Sequence, residues 1–143
     1  MNEYMKIAIE EAKKTKKDIP VGAVIVKGSD IVARFHNKKE EDKDITSHAE
    51  ILALRESARI MGDWRLEDCD MYVTLEPCPM CGWAILQSRV KNLYFGSYNS
   101  QYGAFSSSID LTKISNTKTN IYGGIMEKEC NKLIDKFFEN IRN

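Results

Sequence analysis

Two short stretches, Ser47-His48-Ala49-Glu50 and Glu76-Pro77-Cys78-Pro79-Met80-Cys81, limit what this chain can fold into more than any other feature. His48, Cys78 and Cys81 supply one nitrogen and two sulfurs, the ligand set of a zinc ion whose fourth position stays open for water. A fold that uses them together must bring two distant segments to one point. Glu50, two residues past the histidine, cannot share its direction on a regular helix. It therefore reads as an acid/base beside the metal and not as another ligand. With two histidines and four cysteines in the whole chain, few other ligand sets are possible.

Other readings of the same residues exist. A redox dithiol explains Cys78-Pro79-Met80-Cys81 but leaves His48 and Glu50 idle. A closed structural site needs a fourth ligand, for which only Cys69, Cys130 and His36 remain. Cys69 at a strand start and Cys130 on an apolar helix face read more simply as small buried residues. His36, near a strand end, reads as a structural or rim residue. Glu50 also stands three residues after Ser47, the spacing of a capping box, so it could serve only to start a helix. Against that, both ligand-bearing segments read as helix beginnings. Their free N–H groups and positive dipole ends favour thiolates at Cys78 and Cys81. Two thiolates formally neutralise a zinc ion and acidify its water less, so a carboxylate such as Glu50 has to take the proton.

Along the chain, residues 3–17 read as a helix with Met5, Ile7, Ala8, Ile9 and Ala12 as its apolar stripe. Lys13, Lys14, Lys16 and Lys17 fall in its last turn, as a solvated face or as phosphate contacts. Residues 20–37 read as a β-hairpin turning at Gly28-Ser29-Asp30, and 38–45 as a mixed-charge loop. Thr46 or Ser47 caps a helix that runs to about Met61, with Ile51, Leu52, Leu54, Ala58 and Ile60 as its apolar positions and Gly62 as its stop. Cys69–Leu75 is a strand, and Pro79 opens a helix to about Ser88 that carries both cysteines on one face. A strand at 91–96 leads into a glycine- and serine-rich connection, 97–108. A short segment follows near Ile109–Leu111, then a strand near Thr119–Tyr122. The last helix turns Ile125, Cys130, Leu133, Ile134, Phe137 and Phe138 inward. Strands alternating with helices predict an α/β layer fold with a mixed sheet, the hairpin antiparallel and the later crossovers parallel.

The 143 residues suit one domain, 1–143. No apolar run approaches the roughly 18 residues of a membrane span, and the N-terminus lacks the apolar segment of a signal peptide. The expected location is the cytoplasm, where cysteines serve metal sites more often than disulfides. Formal net charge is +0, whereas nucleic-acid binders usually carry a basic excess.

The spacing His48-x-Glu50 followed by Pro77-Cys78-x-x-Cys81 matches the signature of zinc-dependent nucleobase deaminases. Beyond it, the chain resembles the bacterial tRNA adenosine deaminase family along nearly its whole length. The matching stretches are Val21-Gly22-Ala23-Val24, His36-Asn37, His48-Ala49-Glu50, Trp64-Arg65-Leu66, Tyr72 to Cys78, Ser88-Arg89, Phe95-Gly96 and Gly124-Ile125 with Glu129-Cys130. The resemblance implies a three-layer α/β/α cytidine-deaminase-like fold with about five strands, working as a homodimer. It implies one Zn2+ per chain on His48, Cys78 and Cys81, with Glu50 shuttling protons. Asn37 would hydrogen-bond the flipped base, with Ala49 and Asn99 beside it. The reaction implied is hydrolytic attack at C6 of the wobble adenosine in a tRNA anticodon loop, giving inosine.

Several residues depart from the family's usual spelling. Pro79 gives Cys-Pro-Met-Cys, also common in guanine deaminases, and Trp83 replaces a small residue. Asn99 and Gln101 stand where an aspartate and a lysine are common, and the final helix ends without a long basic tail. These departures keep a deaminase of free guanine, cytosine or a nucleoside in view, and beside it a non-catalytic zinc module that only binds nucleic acid. In the uncharged connection, Tyr98, Tyr102 and Phe105 offer faces for base stacking. Asn99, lacking an aspartate's repulsion of phosphates, predicts weaker discrimination of RNA from DNA.

Overall fold

The computed structural model describes residues 2–142. Helix α1 (Asn2–Ala12) leads to the hairpin of β1 (Gly22–Lys27) and β2 (Asp30–His36). A single turn, α2 (Lys39–Asp42), precedes α3 (Ala49–Met61). Then come β3 (Cys69–Leu75), α4 (Pro79–Gln87), β4 (Asn92–Ser97), a 3-10 turn (Leu111–Ile114), β5 (Asn120–Tyr122) and α5 (Glu127–Arg142). The five strands form one sheet in the order β2-β1-β3-β4-β5. β1 pairs antiparallel with both β2 and β3, while β3–β4 and β4–β5 are parallel. This is the expected mixed sheet: a tight turn joins the antiparallel pair, and helix α4 supplies the crossover a parallel pair needs.

Side chains alternate across the sheet as the strand period requires. Ala23, Ile25, Met71, Val73, Leu93 and Phe95 point to one face and pack with Ala49, Ala53, Leu54, Ile85 and Leu86 of α3 and α4. Val24, Val26 and Tyr72 point to the other and pack with Met5, Ala8 and Ile9 of α1 and Cys130 of α5. Two helices on each face make the three layers. Contact on the α1 side is close enough to demand glycine. A Cβ on Gly22 would stand 1.8 Å from the Ala8 carbonyl oxygen.

The structure corrects several readings of the sequence. Helix α1 stops at Ala12, not near residue 17. Lys14 and Thr15 donate to the carbonyls three residues back, which tightens the turn and ends the helix. The four lysines lie exposed beyond it, and Lys14 pairs with Glu11 at 2.7 Å. The segment 38–45 is not all loop, since α2 makes one turn closed by Lys43 in the left-handed conformation. In α3 the inward face is Ala49, Glu50, Ala53, Leu54 and Ser57. Ile51, Leu52 and Ala58 are only half-buried and Ile60 is exposed, so small residues seat this helix on the sheet. Only Cys130 of α5 is fully buried, and Phe138 is exposed. Phe105 is buried in the α3–α4 core, which removes it from base stacking.

Candidate active site

The parallel half of the sheet begins at β3, and the metal-type cluster lies just past that strand's C-terminal end. His48 is the N-cap of α3 and Cys78 the N-cap of α4, both in extended conformation, and neither makes a side-chain cap hydrogen bond. The positive dipole ends of two helices therefore face the same region. His48 Nδ1 lies 3.4 Å from Cys81 Sγ and 3.8 Å from Cys78 Sγ, and the three ligand atoms lie within 4.8 Å of one another. Tetrahedral zinc with ordinary Zn–S and Zn–N bonds needs separations of roughly 3.5–3.8 Å between such atoms, so the donor set fits. No other group of three such side chains that could hold a metal occurs among the described residues. Cys69, Cys130 and His36 take no part in the cluster, so it has three ligands and no fourth from these residues.

Charge is distributed unevenly over the cluster. A hydrogen bond from Cys81 and another from His48 hold the Cys78 thiol down at about 4 despite its burial. The Cys81 thiol is the donor in that pair and is deeply buried, so it is pushed up. Hydrogen bonding to Cys78 raises His48. A dication deprotonates a coordinating thiol outright, so a zinc ion would take both cysteines as thiolates. Glu50 follows Ala49 in α3, is 4% exposed, and is pushed up to about 7 chiefly by burial. The capping-box reading fails on geometry. The cap is His48, so Ser47 lies outside the helix and Glu50 falls at its second position.

Asn37 follows β2 and ties three segments together. Its Oδ1 accepts from the Ala49 N–H at 2.9 Å, and its Nδ2 donates to the Ile19 carbonyl at 2.8 Å. Its own N–H donates to the Val21 carbonyl. In place of the expected Ser47 cap, the first N–H of α3 is thus held by a side chain from another element. One Nδ2 hydrogen and one Oδ1 lone pair remain for a ligand. Ala49 is fully buried and its N–H is already used. Asn99 is half-buried and accepts from the Tyr102 N–H at 3.1 Å, closing a turn. Tyr98 and Tyr102 are exposed beside it.

Comparison with known proteins places this geometry. Residues 1–97 match the cytidine and deoxycytidylate deaminase zinc-binding region. The chain belongs to that family of zinc-binding deaminases. It is 40% identical to the tRNA-specific adenosine deaminase of Bacillus subtilis strain 168 over 97% of this chain and 89% of the relative. A solved structure from work on tRNA:A34 deaminases superposes with a TM-score of 0.90 at 34% identity, covering 93% of this chain and 99% of that one. The guanine deaminase of Bacillus subtilis is 36% identical, with a TM-score of 0.64, over 67% of this chain and 63% of the other.

One residue of this deaminase-family site escapes sequence reasoning. Glu76, between β3 and Cys78, is 1% exposed and collects hydrogen bonds from Asn99, Phe105, Ser106 and Ser107. Burial alone would raise its carboxyl, but these donors outweigh it and hold the pKa below the usual value. The available signal was an acid at a strand end followed later by an uncharged, serine-rich connection.

Asn37→Ala removes the side-chain cap of α3 and the bond to Ile19. Urea denaturation is expected to show a loss of about 1–2 kcal/mol at an unchanged m-value. A loss under about 0.3 kcal/mol would mean that the core alone fixes the start of α3.

Proposed function

We propose that this chain hydrolytically deaminates adenosine to inosine at the wobble position of a tRNA anticodon, as one zinc-dependent domain. The observation that carries this reading is the near full-length match, at 40% identity, to a tRNA-specific adenosine deaminase. The site supports it with an open one-nitrogen, two-sulfur cluster and a buried carboxylate outside that cluster. His48, Cys78 and Cys81 hold the metal. A zinc ion held by them would supply an acidified water as the nucleophile. Glu50 would take a proton from the attacking water and pass it to the purine ring nitrogen, then take the hydroxyl proton of the C6 adduct and give it to the amine, which leaves as ammonia. The free hydrogen and lone pair of Asn37 orient the base, with the Ala49 backbone at its edge and Asn99 toward the sugar. Tyr98 and Tyr102 are placed to stack on neighbouring bases of an unpaired loop.

A second reading, deamination of free guanine, is favoured by the 36% identity to a guanine deaminase and by Pro79 in Cys-Pro-Met-Cys. An adenosine-containing anticodon hairpin, guanine and cytosine, each assayed for ammonia release, separate the readings. Inosine in the hairpin with no turnover of either free base is expected. Turnover of guanine alone would overturn the tRNA assignment. In the same assay Glu50→Gln is expected to keep one zinc per chain and lose about a hundred- to ten-thousandfold in kcat. Loss of the metal in that variant would make Glu50 part of its coordination.

The protein works as a homodimer in the cytoplasm. No helix among the described residues is long and apolar enough to cross a membrane. Apolar side chains that leave the core gather on the outer side of α3 and α4. Ile51, Ala58, Trp64 and Ala84 line a groove of about 610 Å³ together with Arg55, Gln87, Ser88 and the core residue Leu54, and Met80 and Trp83 are exposed on α4. Burying such a face in a partner copy is the economical solution for a small chain. Sedimentation equilibrium is expected to give twice the chain mass of 16.4 kDa. A single-chain mass at micromolar concentration would contradict the dimer.

A further inference from the structure

Glu76 is a buried carboxylate, and none of the ion pairs formed by the described residues includes it. A buried charge without a counter-ion is costly unless its oxygens are fully hydrogen-bonded. Here they are. Oε1 accepts from the Asn99 N–H at 3.2 Å and from the Ser107 hydroxyl. Oε2 accepts from the N–H groups of Phe105 at 3.0 Å, Ser106 at 3.0 Å and Ser107 at 3.2 Å. Three successive backbone donors around an anion form the kind of nest that binds phosphates elsewhere, with the anion supplied by the chain itself.

All five donors come from one connection. Residues 97–108 contain no charged side chain, so nothing within that segment competes for the carboxylate. The chain also passes close over it: a Cβ on Gly103 would stand 2.4 Å from the Glu76 carboxyl group. On its other side Glu76 is fixed to the sheet, its N–H donating to the Ser97 carbonyl at 2.8 Å. Two residues later comes Cys78. The next carbonyl, that of Pro77, accepts from the Ala104 N–H at 2.9 Å. Beside Cys81, Gly82 lies so close to Ala104 and Phe105 that a Cβ there would stand 3.0 and 3.3 Å from their side chains.

We propose that Glu76 is a positioning residue that locks the 99–107 connection onto the turn bearing Cys78 and Cys81, fixing the substrate-facing wall relative to the metal. Tyr98, Asn99 and Tyr102 then owe their placement to a carboxylate in the strand-to-helix junction and not to the preferences of a flexible, polar segment. The requirement is for an acceptor at both oxygens. A glutamine at 76 presents its NH2 to N–H donors at one end, so it keeps the size of the side chain and breaks the lock. This inference rests on the proposed function only through its activity assay.

The test compares the wild type, Glu76→Gln and Ser107→Ala, all loaded with zinc, on the anticodon hairpin. In Glu76→Gln, KM is expected to rise about tenfold or more, with kcat at saturation within about threefold and one zinc per chain retained. Chymotrypsin should cut faster at Tyr98 and Tyr102 in that variant, while Ser107→Ala, losing one donor of five, stays near the wild type in both readouts. An unchanged KM in folded, zinc-loaded Glu76→Gln would overturn the proposal. So would a fall in kcat and zinc content with KM unchanged, since that is the mark of a residue serving only the fold. Amide hydrogen exchange of the wild type gives a measurement independent of any variant. The Phe105, Ser106 and Ser107 amides are expected to be protected like those of β4. Exchange at open-loop rates would overturn the lock even where Glu76→Gln does not fold. If the wild type fails to deaminate the hairpin, the functional reading falls, and hydrogen exchange and proteolysis still decide the role of Glu76.

Discussion

Helices α3 and α4 begin without side-chain caps of their own, and the residues at those two cap positions are His48 and Cys78. A helix start in that condition carries unpaired donors and partial positive charge, which favours anionic ligands in front of it. Facing two such starts toward one point favours a thiolate at Cys78, and the three side chains together could then hold a divalent cation. The rest of the architecture meets that requirement. The parallel β3–β4 pair puts the α4 start at one end of the sheet. The small inward face of α3, built on Ala49 and Ala53, seats that helix directly on the strands. Asn37 then holds the first turn of α3 from across the hairpin.

Two polar side chains do the local fastening, and both act at a distance in sequence. Asn37 links the end of β2, the segment before β1 and the start of α3. Glu76 gathers the connection after β4 onto the start of α4. Each replaces what a conventional cap or a well-formed loop would have supplied locally. Both lie next to the cluster, so rigidity is concentrated where ligand geometry must be held to fractions of an ångström.

Periodicity and punctuation were enough to read most of the elements. The hairpin read over 20–37, the stop at Gly62 and the opening at Pro79 each have a local physical cause, and the structure has a hairpin over 22–36, a helix end at Gly62 and a helix start at Pro79. The ligand trio was legible because one nitrogen and two sulfurs at that spacing have few other uses. What sequence missed depends on contacts between distant segments. The end of α1 is set by turns tightened onto Glu11 and Ala12, whereas helix propensity alone would continue through the lysines. The capping box at Ser47 was displaced because Asn37 reaches the same helix start from another element. Phe105 reads as a stacking platform in an uncharged segment but is drawn into the core by the lock at Glu76. Apolar Ile51 and Ile60 suggest an inward face, but the close approach of α3 to the sheet selects alanine and serine instead.

The central structural feature is a pair of helix starts whose cap residues, His48 and Cys78, converge with Cys81 on a cluster that could hold zinc. Zinc-edge X-ray absorption of the purified protein tests this most directly. The expected result is one zinc per chain with two sulfurs at about 2.3 Å and two lighter atoms, one imidazole nitrogen and one solvent oxygen, at about 2.0–2.1 Å. A third sulfur in the first coordination sphere, or four protein ligands with no exchangeable oxygen, would contradict it.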